Sequence, residues 1–230
     1  ISLKSLKKHG LIILCQNDKQ IVDVINEIAP EHVELNVLNY KKYINKIVNV
    51  GTDIYVFDDY RIRVLDRGTG AVTTLKTSGD SYNYIERVTS DGTDIYFSSY
   101  YYDSSSSSSS YKIYKLSTAD GVISELDLVN GNGGSHTFSS SNYIRGLTAD
   151  ETDLYVTYGS SSSLKFVRIS LDTAGDGTNT ITEYTTGGVS ISGTNGLEKI
   201  GNSLFTEYSD DIYEIKLSGT SATVSTVSLS

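Results

Sequence analysis

Tyr84-Ile85-Glu86-Arg87-Val88-Thr89-Ser90-Asp91-Gly92-Thr93-Asp94-Ile95-Tyr96 is one copy of a unit that the chain repeats. The same frame runs from Tyr43-Ile44 to Thr52-Asp53-Ile54-Tyr55 and from Tyr143-Ile144 to Thr152-Asp153-Leu154-Tyr155. In each copy the tyrosine stands ten residues before the aspartate, and a looser fourth copy runs from Gly196-Leu197 to Asn202-Ser203-Leu204-Phe205. Self-similarity at intervals of 41, 59 and 50 residues (Asp53 to Asp94, to Asp153, to Ser203) is the signature of a repeat architecture. Alternating apolar and polar residues on both sides of the Thr-Asp turn read as two strands joined in a hairpin, because successive side chains of a strand point to opposite faces.

Each copy continues with a further alternating run: Ile62-Arg63-Val64, Lys112 to Leu116, Leu164 to Ile169 and Ile212 to Leu217. After a turn comes another: Gly70 to Leu75, Gly121 to Leu126, Thr180 to Tyr184 and Ala222 to Val227. Four antiparallel strands per copy predict about four four-stranded sheets, and the 18 Tyr, 20 Gly and single Pro of the 230 residues suit many short strands with turns. The uneven spacing is assigned to insertions at Tyr100–Ser110 and Asn130–Ser141, where extra loop length costs little closure entropy. The pattern Asp-Gly-Thr-Asp-Ile-Tyr, an Ile-Arg-Val strand and Thr-Gly-Ala-Val-Thr-Thr-Leu resembles NHL-like β-propeller repeats over roughly residues 40–228. The expected fold is therefore all-β, a propeller of about four blades over residues 39–230, with a short α/β segment over residues 1–38 in front of it. The ring is expected to be a compact four-bladed unit, to be an incomplete ring with blades missing, or to be completed by another copy, with an N-terminal strand needed to complete the first blade.

Residues 1–38 have a different texture. Leu11–Leu14 reads as a buried strand, Asn17 or Asp18 as the cap of a helix carrying Ile21, Val24, Ile25 and Ile28 on one face, and Pro30 as its stop. Val33–Val37 reads as a second strand. The stretches Gly10–Leu14, Ile25-Asn26-Glu27-Ile28-Ala29-Pro30-Glu31-His32-Val33-Glu34-Leu35 and Lys46–Gly51 resemble a segment of histidinol dehydrogenase. That resemblance implies that Glu31 and His32 correspond to the acid/base pair of NAD-dependent, zinc-dependent oxidation. Further zinc ligands, a substrate pocket and a nucleotide-binding body are not recognisable in the sequence, and a proton-transfer pair without them has nothing to act on. Residues 40–51 carry both resemblances: as dehydrogenase sequence, Asn39 caps a helix through Ile47; as repeat sequence, Tyr43-Ile44 opens the first blade.

A net charge of −9 opposes phosphate backbones, so no nucleic-acid partner is expected, and no apolar run reaches the length of a membrane span. The lone Cys15 among Leu11–Leu14 reads as a buried thiol. Asp53, Asp94 and Asp153 read as turn residues satisfying local backbone groups instead of a cation site. Asp172–Gly177 has part of a calcium-loop pattern without its closing glutamate and reads as a solvated turn. No metal site and no cofactor are expected. Tyr96 and Tyr114 are expected to pack between sheets; consecutive Tyr100, Tyr101 and Tyr102 cannot all point inward and are the candidate aromatic binding residues. Ser104–Ser110 is expected to be a flexible loop tip. The function that fits is a non-enzymatic binding or assembly module at the cell surface or outside the cell, with a protein or glycan partner and self-association through blade edges. The alternative is a histidinol dehydrogenase-related oxidoreductase fragment.

Overall fold

The computed structural model describes Gln16, Gln20 and residues 47–50, 53–58, 61–66, 68–76, 84–105, 107–139, 141, 143–160, 163–172, 177–188, 195–208 and 211–227. The helix and strands expected before residue 39, the 38/39 boundary, Cys15, Glu31 and His32 lie outside these residues.

Four blades follow one another. In blade 1, β1 (Ile47–Val50), β2 (Asp53–Asp58), β3 (Arg61–Asp66) and β4 (Val72–Lys76) form an antiparallel meander in chain order. Blade 2 repeats it with β5 (Tyr84–Ser90), β6 (Ile95–Asp103) and β7 (Ser108–Leu116). Its fourth position is divided between two short strands, β8 (Ile123–Glu125) beside one end of β7 and β10 (Phe138–Ser139) beside the other. Blade 3 comprises β11 (Ile144–Ala149), β12 (Asp153–Ser160), β13 (Ser163–Ser170) and β14 (Thr178–Gly188). Blade 4 comprises β15 (Asn195–Ile200), β16 (Ser203–Tyr208), β17 (Asp211–Ser218) and β18 (Ser221–Val227). The first strands β1, β5, β11 and β15 are successive neighbours, so the sheets stack face to face as propeller blades do.

Strand alternation builds three cores between four blades. In β6, Ile95 and Phe97 face backward to meet Tyr55, Phe57 and Ile62 of blade 1. Tyr96, on the opposite face, joins Leu147, Leu154, Val156 and Ile169 of blade 3. In β12 the rule repeats: Leu154 and Val156 face blade 2, while Tyr155 packs with Leu204, Tyr213 and Ile215 of blade 4. The repeat's Ile/Leu-Tyr pair is thus a two-sided plug, one side chain for each neighbouring interface. Tyr96 and Tyr114 are buried, at 2% and 4% exposure, as the alternation requires.

Both expected insertions are structured. Tyr100–Ser110 lengthens the β6–β7 hairpin: Tyr101, Tyr102 and Asp103 pair with Ser110, Ser109 and Ser108. Ser108–Ser110 is therefore strand, not loop tip, because the tyrosine-bearing partner strand supplies the backbone hydrogen bonds that serine cannot earn by burial. The second insertion is entered from β9 (Asp127–Asn130), which pairs parallel to β14 of blade 3, and contains β10, which pairs with β7 of blade 2. Residues 127–139 consequently fasten the outer edges of blades 2 and 3 together. The C-terminal part of β14 does the same for blade 4 by pairing parallel to β18. Among the described residues no strand fastens blade 1 in this way; it is held by face packing on blade 2. Ile47–Val50 pairs antiparallel with β2, so the helix through Ile47 implied by the dehydrogenase resemblance is not formed at its last residue, where Ile47 is strand and pairs with Val56.

The turns correct the expectation for the repeat aspartates. The local backbone groups are satisfied by Asp91 and Asp150, three residues earlier: Asp91 Oδ1 accepts from the Thr93 and Asp94 amides at 2.8 and 2.7 Å, and Asp150 Oδ1 from those of Thr152 and Asp153 at 3.0 and 2.9 Å. The second oxygen of each accepts from the plug tyrosine, Tyr96 at 2.9 Å and Tyr155 at 3.0 Å. Asp94 and Asp153 reach sideways instead, to the Lys115 ammonium at 2.6 Å and to the Ser170 hydroxyl at 2.9 Å. The full staple belongs to blades 2 and 3, since blade 1 has Val50 at the capping position and blade 4 has Ile200 and Phe205.

Asp150 also receives Lys199 of blade 4 at 3.1 Å. Burial pushes its carboxyl up, but the Thr152 amide, Lys199, the Tyr155 hydroxyl and the Asp153 amide together hold it below the usual range. Asp150→Ala strips two amides and a half-buried hydroxyl of their acceptor, and should cost about 1–3 kcal/mol in chemical unfolding. A loss within experimental error would show that solvent replaces the carboxylate.

Candidate binding face

One cross-strand row decides where an accessible aromatic surface lies. Tyr84 pairs with Tyr100, Tyr100 with Tyr111, and Tyr111 with Phe138. Residues paired in this way share a face, so one end of blade 2 carries four aromatic rings in line. The Tyr84 and Tyr100 rings lie 6.4 Å apart, and Tyr100 and Tyr111 5.6 Å apart in an edge arrangement. Tyr143, at the start of blade 3, continues the row at 5.6 Å from Tyr111. The two ends of the row are open, with Tyr84 46% and Tyr143 48% exposed, while Tyr111 in the middle is buried. Edge-to-face and tilted pairs of this kind hold the rings in fixed orientations.

Charge lies under the row. Arg87 donates from Nε to the Arg145 carbonyl at 2.8 Å and from a terminal nitrogen to the Glu86 carbonyl at 3.0 Å, which fixes β5 against β11. The Arg145 guanidinium sits 5.3 Å from the Tyr143 ring centre, and its Nε is buried without a hydrogen-bond partner. Burial pushes the Glu86 carboxyl up, opposed by Arg87, the Tyr111 hydroxyl and Arg145. Burial also raises Tyr111, reinforced by Glu86, and lowers Arg87. A half-buried carboxylate between two guanidiniums orients the Tyr111 hydroxyl and stiffens the platform from below.

The three tyrosines singled out in the sequence divide. Tyr100 belongs to the row and is partly buried in it. Tyr101, on the opposite face, lies under the Lys112 ammonium at 4.2 Å, and Lys112 pairs with Glu125 at 2.7 Å. Tyr102 is 48% exposed beyond the row. Tyr111, which the sequence groups with Tyr100–Tyr102 as a candidate platform residue, lies in the row but is buried; Tyr84 and Tyr143 are not marked by local sequence as binding residues, although they are the leading tyrosines of their repeats, and equivalent repeat positions fall at the same end of adjacent blades. A second group adjoins the row through Phe138: His136, Phe138 and Tyr158 pack with ring centres 4.9 Å (His136 to Phe138) and 4.9 Å (Phe138 to Tyr158) apart. Among the described residues no three His, Cys, Asp or Glu side chains converge as metal ligands, and no helix is long and apolar enough to cross a membrane.

The arrangement of stacked four-stranded meanders defines a β-propeller. A family model for histidinol dehydrogenase matches residues 1–85. Histidinol dehydrogenase of Pelagibacter ubique is 46% identical over 52 residues, 23% of this chain and 12% of that protein. That of Prochlorococcus marinus is 37% identical over 81 residues, 35% of this chain and 18% of that protein. The chain thus matches less than a fifth of the length of these relatives. Among solved structures, it is similar to the GH74 enzyme of Niastella koreensis, with a TM-score of 0.48 and 15% identity over 76% of this chain and 28% of that one. It is also similar to dipeptidyl peptidase 4 of Porphyromonas gingivalis, with a TM-score of 0.47 and 9% identity over 74% and 30%.

Proposed function

We propose that the chain is a non-enzymatic propeller module that binds a protein or glycan partner on the tyrosine row, and that it works at the cell surface or outside the cell. The observation that carries this reading is the row itself: Tyr84, Tyr100, Tyr111 and Tyr143 span two blades, are braced from below by Glu86, Arg87 and Arg145, and are open at both ends. Tyrosine gives large contact area and a polar tip at low entropic cost, which suits recognition of sugar faces and of peptide backbones alike. Self-association through unpaired blade edges is part of the same reading.

The test is a screen of the purified chain on glycan and peptide arrays, followed by the double variant Tyr84→Ala/Tyr143→Ala. These side chains are about half exposed, so the fold should persist by circular dichroism while binding falls by about five- to 150-fold, each stacked aromatic contributing about 0.5–1.5 kcal/mol. Unchanged binding in the variant would remove the row from recognition.

The dehydrogenase reading is the second one, and the match over residues 1–85 favours it. It requires zinc, NAD and the acid/base pair Glu31 and His32. Stoichiometric zinc, together with histidinol-dependent NAD reduction abolished in Glu31→Gln, would replace the binding reading; neither is expected.

A further inference from the structure

His136 occupies the join between blades 2 and 3. Its amide donates to the Leu128 carbonyl at 2.7 Å, and its Nδ1 lies 3.1 Å from Asn130 Oδ1. An amide oxygen only accepts, so Nδ1 carries the proton and Nε2 presents a lone pair. That Nε2 is buried and has no hydrogen-bond partner. The ring is wedged edge-on against Phe138 at 4.9 Å and Tyr158 at 6.3 Å. Phe138 is the cross-strand partner of Tyr111, and Tyr111 touches Tyr143. The imidazole is thus three contacts away from the open end of the tyrosine row at Tyr143, on the segment that fastens the two blades bearing that row.

We propose that His136 is an acid-responsive clasp for the tyrosine face: neutral, it holds residues 127–139 across blades 2 and 3 and so aligns Tyr111 with Tyr143; protonated, it leaves its niche and the row loses its alignment. A proton on Nε2 would turn an unpaired neutral acceptor into a buried, unpaired donor and add a charge between two aromatic rings, a further cost that is relieved only if the ring moves. The charged groups that face it are Glu183 of β14, which favours the imidazolium, and Lys165 of β13, which opposes it. Both are largely exposed and already paired: Glu183 accepts from the Tyr158 hydroxyl at 2.6 Å and from Lys165 at 2.9 Å. The hydrogen bonds from Tyr158 and Lys165 hold the Glu183 carboxyl below its usual range, so it stays ionised while the imidazole titrates. It offers the imidazolium a destination outside the niche. Burial leads in lowering His136 from its ordinary 6.5, with Glu183 opposing and Lys165 adding. A lowered folded-state value means that the unfolded segment binds more protons; the clasp is complete above about 6.5 and weakens as pH falls through that value toward the folded one.

The regulatory meaning rests on the tyrosine row being the binding face, whereas the clasp itself does not. Hydrogen exchange of the intact chain, corrected for intrinsic rates and compared between about pH 7.5 and about pH 5, reads the clasp alone as a loss of protection at the lower pH. The expected result is that loss in 126–139 and at the start of β11, with β2, β3, β16 and β17 unchanged. In His136→Phe, which keeps the ring in the niche and cannot titrate, the pH dependence should vanish. Protection that is equal at both pH values, that falls uniformly over all four blades, or that keeps its pH dependence in His136→Phe would overturn the proposal. Should that variant not fold, the imidazole proton resonance of the unaltered chain decides: a midpoint below the ordinary value, accompanied by shifts of the Tyr111 and Tyr143 ring signals, supports the clasp, and an ordinary midpoint without them overturns it. If exchange responds as expected but array ligands bind equally at both pH values, control of binding by the clasp is overturned. Ligand binding that does not depend on Tyr84 and Tyr143 would sink the binding-face reading alone.

Discussion

Phe97→Ala should lower stability by about 3–5 kcal/mol, the cost of emptying an aromatic side chain from a core that cannot close over the gap. Phe97 has no exposed surface; its ring stacks on Tyr114 at 5.3 Å and tilts against Phe57 of blade 1 at 5.6 Å. The position matters beyond its size. Blades 2, 3 and 4 are fastened at their outer edges by β9, β10 and β14, whereas the described part of blade 1 is held by face packing on blade 2, with this core at its centre. The variant should therefore lose amide protection in β1–β4 before the other blades, at denaturant concentrations where the later blades remain folded. Equilibrium urea unfolding measures the first effect and native-state exchange the second. Phe97→Leu, which refills much of the volume, should recover more than half of the loss. A cost below about 1 kcal/mol, or simultaneous opening of all blades, would show that blade 1 has support beyond the face packing seen here.

How far this fold could be read from residues depends on how local each signal is. The Thr-Asp-Ile/Leu-Tyr unit carries its own alternation, and alternation alone decides that Ile95 and Tyr96 serve two different interfaces. The blades were therefore legible, as was the burial of Tyr96 and Tyr114. The staple is not: the Asp94 position recurs as Asp53 and Asp153, whereas the capping position filled by Asp91 and Asp150, which accept the turn amides, holds Val50 in the first repeat and Ile200 in the fourth. A residue that does its work in two copies out of four is nearly invisible to a search for repetition. The crossing strands β9 and β10 escaped for another reason. Asn130–Gly134 reads as turn chemistry, and nothing local shows that its flanks pair with different sheets.

The candidate face has the same history. Tyr100–Tyr102 stood out because the three are consecutive, yet a strand separates consecutive residues onto opposite sides and only Tyr100 enters the row. Its partners Tyr84, Tyr111 and Tyr143 are remote in sequence and are assembled by hairpin register and blade stacking. Glu31 and His32 present the reverse case, a sharp local motif whose surroundings lie outside the described residues. The match to histidinol dehydrogenase runs on to residue 85, through the whole of blade 1, where the strands follow the propeller order. Sequence likeness and repeat geometry overlap there, and in residues 47–76 the hydrogen-bonded meander is what the structure contains.

The sharpest mechanical test lies at the inner edge, where β11 meets β15. Gly146 has no room for a side chain: a Cβ there would stand 2.6 Å from the Leu197 Cβ, 2.7 Å from the Thr157 Oγ1 and 2.9 Å from the Gly196 carbonyl carbon. The first and last of these are backbone-anchored and cannot swing aside, so Gly146→Ala must push two strands apart instead of rotating a side chain. The β11–β12 pairing is already irregular between Ile144 and Gly146, which shows how the strand bends to bring the glycine against blade 4. Overpacking of this kind costs about 1–3 kcal/mol, and the upper end is expected because three contacts are violated at once. The displaced strand carries Arg145 and is entered from Tyr143, so the damage should reach the binding face: Arg87 would lose its hold on the Arg145 carbonyl, and Tyr143 its place beside Tyr111. Chemical unfolding gives the stability loss, and the ring signals of Tyr143 report the displacement. A variant of unaltered stability with unmoved Tyr143 signals would mean that β11 and β15 lie farther apart than their contact at Gly146 requires, and the stacking of blade 4 on blade 3 would have to be redrawn.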